Sequence, residues 1–466
     1  MIAAIALDLG TTRIKAGLVA QDGTPGNIVS LHAPVIAAEG GRYESDALAY
    51  AETVDAVLRE CLAQAAERYS LGMCSQRSSF VVWARASGHP VTPLISWQDN
   101  RGAASCEALR EQETVIRELS GLPLTPYYLA PKLRVLMNEL PQMRERLLSG
   151  EWLLGTLDTF LIWRWTGGKS HVTDVSMAAR TLLMDVHTRC WSPVLCELFG
   201  VPLSALPQIE ASAGLGLALD NGLTLNSSMA DQSAALVATL AAGRAEAMVN
   251  LGTGGFVACY LPEGKNAPDG YLQTLVWQEG GGQVHSACEG TLNSIAAALS
   301  PYRDEDCTVG ELGSDDIYCL AEPSGLGAPY FRGDLGVTFS VPVDDLPPRR
   351  IAVLLQEGII FRVARILEDM HCEFGIERVF LSGGLSRRPC LQQGIARCSP
   401  CECYRLSGAD AGLAGAARPA SGGAGGAATG AEKIGLSPDT ARLREKYRRW
   451  KVWMDGLLAA PPVRGE

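Results

Sequence analysis

The sequence predicts a mixed α/β protein of two domains, and three observations carry that expectation. At 466 residues the chain is longer than one hydrophobic core usually organises. Strand-like apolar runs alternate with amphipathic, helix-periodic stretches along it. A strand, Gly-Thr turn, strand unit also occurs twice, at Asp8-Leu9-Gly10-Thr11-Thr12 and at Asn250-Leu251-Gly252-Thr253-Gly254-Gly255. The first tip joins Ala3 to Leu7 with Ile14 to Val19, the second Glu246 to Val249 with Phe256 to Tyr260. Such a tip presents backbone N–H groups and Thr hydroxyls that can cradle an anion. A single Gly-Thr hairpin is usually just a turn. Two of them a domain-length apart, the first carrying Asp8, point to a pair of phosphate-gripping turns.

Composition narrows the partners. A hydrophobic share of 47% with 20% charged residues fits a globular chain with sizeable cores. A formal charge of −11 and the lack of a Lys/Arg-rich run argue against nucleic acid or an anionic membrane, since both need clustered cations. The N-terminus enters a strand directly and no apolar run is long enough to span a bilayer, so a cytoplasmic location is expected. The 14 cysteines, irregularly spaced, then read as thiols packed in cores. Cys398, Cys401 and Cys403 supply three sulfurs without a fourth ligand nearby, which favours packing over zinc.

In the first half, Ala47 to Tyr69 reads as an amphipathic helix, followed by strands around Ser70 to Cys74 and Phe80 to Ala84. Between those strands, Ser75-Gln76-Arg77-Ser78-Ser79 holds more hydrogen-bonding capacity than a turn needs. A second polar strand end, Ser96-Trp97-Gln98-Asp99-Asn100-Arg101, leads into a helix from Ala103. As isolated charges, Arg77 and Asp99 read as solvated surface. An aromatic ring and several bidentate-capable groups on consecutive loop positions suit a pocket that grips a polyhydroxy compound. Pro126-Tyr127-Tyr128, a helical Lys132 to Leu140, and Gly155-Thr156-Leu157-Asp158-Thr159 opening a Trp-rich helix follow. The Gly/Asn/Ser-rich stretch Asp220 to Ser228 predicts the domain boundary, giving 1–225 and 226–466.

Just beyond it, Ala230-Asp231-Gln232 opens an apolar helix. Asp is a favoured N-cap, which alone would explain Asp231. A carboxylate there is also placed to take a proton from an alcohol attacking phosphorus. The two phosphate hairpins in the same chain tip the expectation toward that catalytic role.

Read in order, Ala6-Leu7-Asp8-Leu9-Gly10-Thr11-Thr12, Ser75-Gln76-Arg77, Val81-Val82-Trp83, Trp97-Gln98-Asp99, Gly155-Thr156-Leu157-Asp158-Thr159, His171-Val172-Thr173-Asp174, Ala230-Asp231-Gln232, Gly252-Thr253-Gly254, Gly325-Leu326-Gly327-Ala328-Pro329-Tyr330 and Ser382-Gly383-Gly384 span nearly the whole chain. Together they resemble the FGGY family of carbohydrate kinases. The resemblance implies two ribonuclease-H-like (actin-like ATPase) lobes around a deep interdomain cleft, and an ATP-dependent, Mg²⁺-requiring kinase acting on a primary hydroxyl of a small-molecule polyol or sugar. It implies Asp231 as general base and, with Asp8, as metal site. Acceptor binding falls to Gln76, Arg77, Ser78, Trp97, Asp99, Tyr127 and Gln232. Nucleotide binding falls to Gly10, Thr11, Thr12, Gly252, Thr253, Gly254, Gly327, Gly383 and Gly384. Gly383 and Gly384 match glycines against which adenosine packs. A homodimer fits the same resemblance.

The chain departs from the family pattern at informative places. Glycerol kinases of the family carry Glu directly after the Arg of the Gln-Arg loop; here Ser78 predicts a roomier pocket without that acceptor. Pentulose kinases carry Met-His in this loop, also lacking here. Arg332-Gly333 comes early after Tyr330-Phe331, and Gly408 to Gly430 is so rich in Ala and Gly that it predicts a mobile tract. The rival readings are a pentulose or heptulose kinase and, from another class, an actin-like ATPase module driving a protein partner. The second would need neither Asp231 nor a polar acceptor pocket. A DNA-binding regulator would need an added helix-turn-helix.

Overall fold

The computed structural model describes residues 2–65, 69–303, 307–406, 410–421, 430–436 and 441–461. They form two compact units: Met1–Thr239 with Thr274–Ser286 and Ala409–Thr429, and Leu240–Gln273 with Ala287–Gly408 and Gly430–Glu466.

The first unit is built on a sheet in the order Ala213–Ala218, Thr224–Ala230, Ser70–Ser75, Ile2–Leu9, Arg13–Ala20, Pro25–His32. Ile2–Leu9 alternates with period two: Ile5, Leu7 and Leu9 enter one core, while Ala4, Ala6 and Asp8 take the other face. On the Leu7 side lies the helix Ala47–Leu62, capped by the Asp46 carboxylate and contributing Tyr50, Val54, Val57 and Leu58 to that core. Register aligns three strand ends. Leu9 pairs with Ser75 and Ser75 with Ala230, both in parallel, so Gly10, Gln76 and Asp231 leave the sheet side by side. A second sheet of this unit, Ala37–Glu39, Arg42–Ser45, Leu94–Ile95, Phe80–Ala84, Trp152–Thr156, supports the two polar loops.

The second unit repeats the pattern. Glu246–Leu251 turns back as Gly255–Tyr260 and runs parallel to Arg378–Ser382, with Asn250 opposite Ser382. The Gly252–Gly254 turn and Gly383 therefore leave adjacent strand ends, as Gly10 and Gln76 do in the first unit. The 27-residue helix Pro348–Phe374 underlies this core, with Pro at its start and Gly375 in the left-handed region at its end.

Three expectations are corrected. The first helix stops at Leu62 rather than Tyr69, closing on the cap Ala63. The stretch Asp220 to Ser228 is no linker, because Thr224–Ala230 is a full member of the first sheet and carries the helix Asp231–Thr239 into the first unit. The Ala/Gly tract holds an ordered helix, Ala411–Ala420, with Leu413, Ala416 and Ala417 buried; residues 408, 409 and 422–429 lie outside the described residues. Its small residues serve close packing. A Cβ on Gly415 would collide with the backbone carbonyl of Ala234, and one on Gly72 with that of Ala416. Among the described residues every cysteine is a free thiol, Cys398, Cys401 and Cys403 are buried without converging on a metal site, and no helix is long and apolar enough to cross a membrane.

Candidate active site

In the first unit the three aligned strand ends deliver Asp8, the 10–12 turn, loop 76–79 and Asp231 to one edge of the sheet, the edge at which open α/β sheets hold ligands. Asp231 is the first residue of its helix, and its Oδ1 accepts from the Gln232 N–H at 2.8 Å. The same oxygen lies 3.9 Å from Arg77 Nε, on a side chain that is 40% accessible. Protein atoms nonetheless crowd the carboxylate enough that lost hydration raises its pKa, against the opposing pull of Arg77 and Arg180. Asp8 is raised to about 6, first by burial and then by the charge of Asp231; Lys15 and the Cys74 thiol, which donates to its Oδ1 at 3.5 Å, work the other way. Two carboxylates that repel each other in a poorly hydrated place are a donor pair that a hard cation would stabilise.

A continuous chain of hydrogen bonds joins the hairpin to the polar loops. Trp97 Nε1 donates to Thr11 Oγ1 at 2.9 Å, and Thr11 Oγ1 donates to Gln76 Oε1 at 3.0 Å. Ser79 Oγ donates to the same Oε1 at 3.1 Å and accepts from the Trp97 N–H at 3.0 Å. Tyr50 donates to the Gly10 carbonyl at 2.8 Å, fixing the turn from below. Tyr127 packs on Trp97 with ring centroids 5.5 Å apart. This network ties Trp97, with Tyr127 packed on it, to the loop that carries Arg77, and Arg77 in turn faces Asp231.

Two expected acceptor residues face elsewhere. Ser78 has no accessible surface; its backbone is left-handed (φ 62) and its hydroxyl donates to the Arg180 carbonyl at 2.9 Å, so it opens no room beside Arg77. Asp99 is buried, accepting from the Tyr43 N–H of the strand Arg42–Ser45 at 2.7 Å and from Arg101 Nε of its own turn at 2.8 Å. Those bonds outweigh burial and hold its pKa down. Gln76, likewise buried, acts as the junction just described. Sequence reading missed Lys132, which has no accessible surface and donates to the carbonyls of Ser78, Ser96 and Trp97. The one signal was a lysine inside the apolar run Leu129-Ala130-Pro131-Lys132-Leu133. It also missed the Lys15–Asp410 ion pair at the head of the helix Ala411–Ala420.

In the second unit the Gly252 N–H donates to the Gly254 carbonyl at 2.8 Å, closing a turn whose tip, Thr253, is exposed. Gly383 has φ 86, and a Cβ there would press 2.6 Å from Asn250 Oδ1, so this glycine is demanded by the fold. Around Gly384 nothing lies within 4 Å of a would-be Cβ, so the fold does not require a glycine there. Gly327 is buried rather than open: a Cβ would meet the Thr291 carbonyl at 2.6 Å, and its N–H donates to Glu322 Oε2 at 3.0 Å. Glu322 in turn accepts from Arg362 Nε at 2.7 Å, and Arg362 donates to the Ala328 carbonyl at 3.2 Å, pinning this loop to the long helix.

Comparison with known proteins agrees with this layout. Residues 3–224 match the model of the N-terminal domain of the FGGY family of carbohydrate kinases, and residues 247–421 that of its C-terminal domain. A glycerol kinase of Rhodopirellula baltica is 32% identical over 420 residues, 84% of this chain and 77% of that protein. One from Pseudomonas fluorescens is 31% identical over 398 residues, 80% of this chain and 77% of its own length. Among solved structures, Plasmodium falciparum glycerol kinase with ADP superposes with a TM-score of 0.86 at 20% identity, covering 98% of this chain and 99% of that one. The xylulose kinase from Rhodospirillum rubrum gives 0.82 at 20% identity, covering 97% and 98%. These likenesses show the two-lobed actin-like ATPase fold.

Proposed function

Because the chain belongs to the FGGY family of carbohydrate kinases, and so is a phosphotransferase with an alcohol as acceptor, we propose that it moves the γ-phosphoryl group of ATP to a primary hydroxyl of a small polyol or sugar. The observation that carries this reading is the placement of Asp231 at a strand end beside Arg77, one strand over from Ser75 and two from Asp8.

Asp231 is the general base in this reading. Its carboxylate accepts the hydroxyl proton as the acceptor oxygen attacks phosphorus, and its raised pKa makes it a better acceptor than an ordinary surface Asp. Arg77 fixes the acceptor by charge-assisted hydrogen bonds, while Trp97 and Tyr127 cover its apolar face. Thr12, exposed at the hairpin tip, and the backbone N–H groups of 10–12 meet the transferred phosphate; the Thr11 hydroxyl, engaged with Trp97 and Gln76, holds the turn in shape. Gly252, Thr253 and Gly254 take the nucleotide phosphates, and Gly384 lies against the adenosine. Asp8 and Asp231 suit Mg²⁺, a cation that binds through one or two carboxylates plus phosphate oxygens and waters; it would neutralise charge on the phosphates. We assign an N-terminal and a C-terminal lobe whose boundary falls between residues 224 and 247, the stretch that neither family model covers.

Ser78 presents no acceptor group where glycerol kinases of the family present a carboxylate, which removes one contact for glycerol and keeps a pentulose or heptulose as the second reading. A coupled ADP-release screen over glycerol, erythritol, pentuloses and heptuloses tests both. Turnover no faster than ATP hydrolysis alone on every compound would overturn the kinase assignment.

A further inference from the structure

Lys132 sits on the helix Leu129–Glu139 with no accessible surface, and its hydrogen bonds run to backbone carbonyls rather than to a carboxylate. Its Nζ donates to Ser78 at 3.3 Å, Ser96 at 3.0 Å and Trp97 at 3.4 Å. Those carbonyls belong to two loops far apart in sequence, one following Arg77 and the other containing Trp97. An ammonium has three N–H donors, one for each carbonyl, whereas a neutral amine has two. Burying a charge without a paired carboxylate is unfavourable, and a Met of similar length would fill the space without that penalty.

We propose that Lys132 is a positioning residue: its ammonium clasps loop 76–79 to loop 96–99, so that Arg77 and Trp97 meet the acceptor in a fixed relation. This rests on the assignment of those two residues to the acceptor site. The clasp works only while the amine is protonated. Burial lowers the pKa of Lys132 to about 7, with Asp99 acting to raise it and Arg101 to lower it further, so protonation changes near neutrality. Lost protonation leaves one carbonyl without a donor and loosens one loop against the other.

Lys132→Met removes all the donors, and Lys132→Gln keeps two. With glycerol as the acceptor, or D-xylulose if glycerol is not turned over, we expect acceptor KM per active site to rise about tenfold or more in the Met variant, a loss of about 1.4 kcal/mol. A smaller rise is expected in the Gln variant, and KM for ATP should stay within about twofold of wild type in both. The Gln variant decides if the Met variant does not fold. In the wild type, acceptor KM should climb as pH passes upward through about 7, and this climb should flatten in Lys132→Gln. A merely structural lysine would lower Tm and the yield of active enzyme while leaving acceptor KM and its pH profile as they were, and that result overturns the proposal. Arg77→Ala separates the two levels. If it raises acceptor KM and the Lys132 variants do not, only the positioning role falls; if it too has no effect, the acceptor assignment beneath it falls.

Discussion

The Asp231 Oδ1 accepts from the Gln232 N–H at the start of its helix and lies 3.9 Å from Arg77, so the proposed base role is compatible with that backbone contact. An amide retains the accepting oxygen but cannot take the proton. Asp231→Asn should therefore keep Tm and ADP affinity near wild type and lower turnover by about 10²- to 10⁴-fold, measured by the same coupled assay. Retained turnover would remove Asp231 from the base role. Gly384 offers a complementary test at the nucleotide end, since the fold leaves space for a methyl group there. Gly384→Ala should leave Tm within about a degree and raise KM for ATP severalfold; an unchanged KM would separate this glycine from adenosine. Ser78 lies at the opposite extreme, with its hydroxyl tied to the Arg180 carbonyl. Ser78→Ala leaves that buried carbonyl short of a donor and should destabilise the protein by about 1–2 kcal/mol in urea unfolding.

At the scale of elements, the helix Ala411–Ala420 explains a composition that looked like a flexible tract. Leu413, Ala416 and Ala417 are buried, and Ser227 Oγ donates to the Ala416 carbonyl at 2.6 Å. Gly412 passes close to the site as well, where a Cβ would lie 3.0 Å from the Asp8 carboxylate. Backbone approach of this kind tolerates no side chain, so small residues are the packing solution. Gly415→Ala should destabilise by about 3 kcal/mol or more and lower Tm clearly, whereas Gly333→Ala, with open space around its Cβ, should stay within about 0.5 kcal/mol. Equal, small effects on Tm for both would show that the helix does not sit where the packing puts it.

For the whole molecule, the two units each carry a complete hairpin-plus-parallel-strand motif and a separate core. The proposed acceptor and metal residues lie in the first unit and the nucleotide turn in the second, so ligands should protect different peptides. In hydrogen exchange, ADP should slow the amides of 250–256 and 382–388, and the phosphorylated acceptor those of 76–79 and 96–101. Protection of both sets by ADP alone would contradict that division of labour. Asp8→Ala should raise the Mg²⁺ concentration needed for half-maximal turnover without shifting ADP protection in the second unit, because its carboxylate belongs to the first.

The apolar runs flanking the two Gly-Thr turns made both hairpins legible from sequence, because those signals are local: a strand's apolar character and a tight turn's chemistry are written in neighbouring residues. The family motifs likewise marked Asp8, Arg77, Trp97, Tyr127 and Asp231. Tertiary structure alone decided which polar residues face open space. Gln76, Ser78 and Asp99 carry the same hydrogen-bonding groups as residues that bind ligands, and only partners far along the chain (Thr11, Arg180 and Tyr43) show that theirs are engaged. Lys132 and the helix Ala411–Ala420 were hidden for the same reason. A buried ammonium is identified by carbonyls 35 to 54 residues away, and a Gly-rich helix by the backbone it touches, neither of which local periodicity encodes.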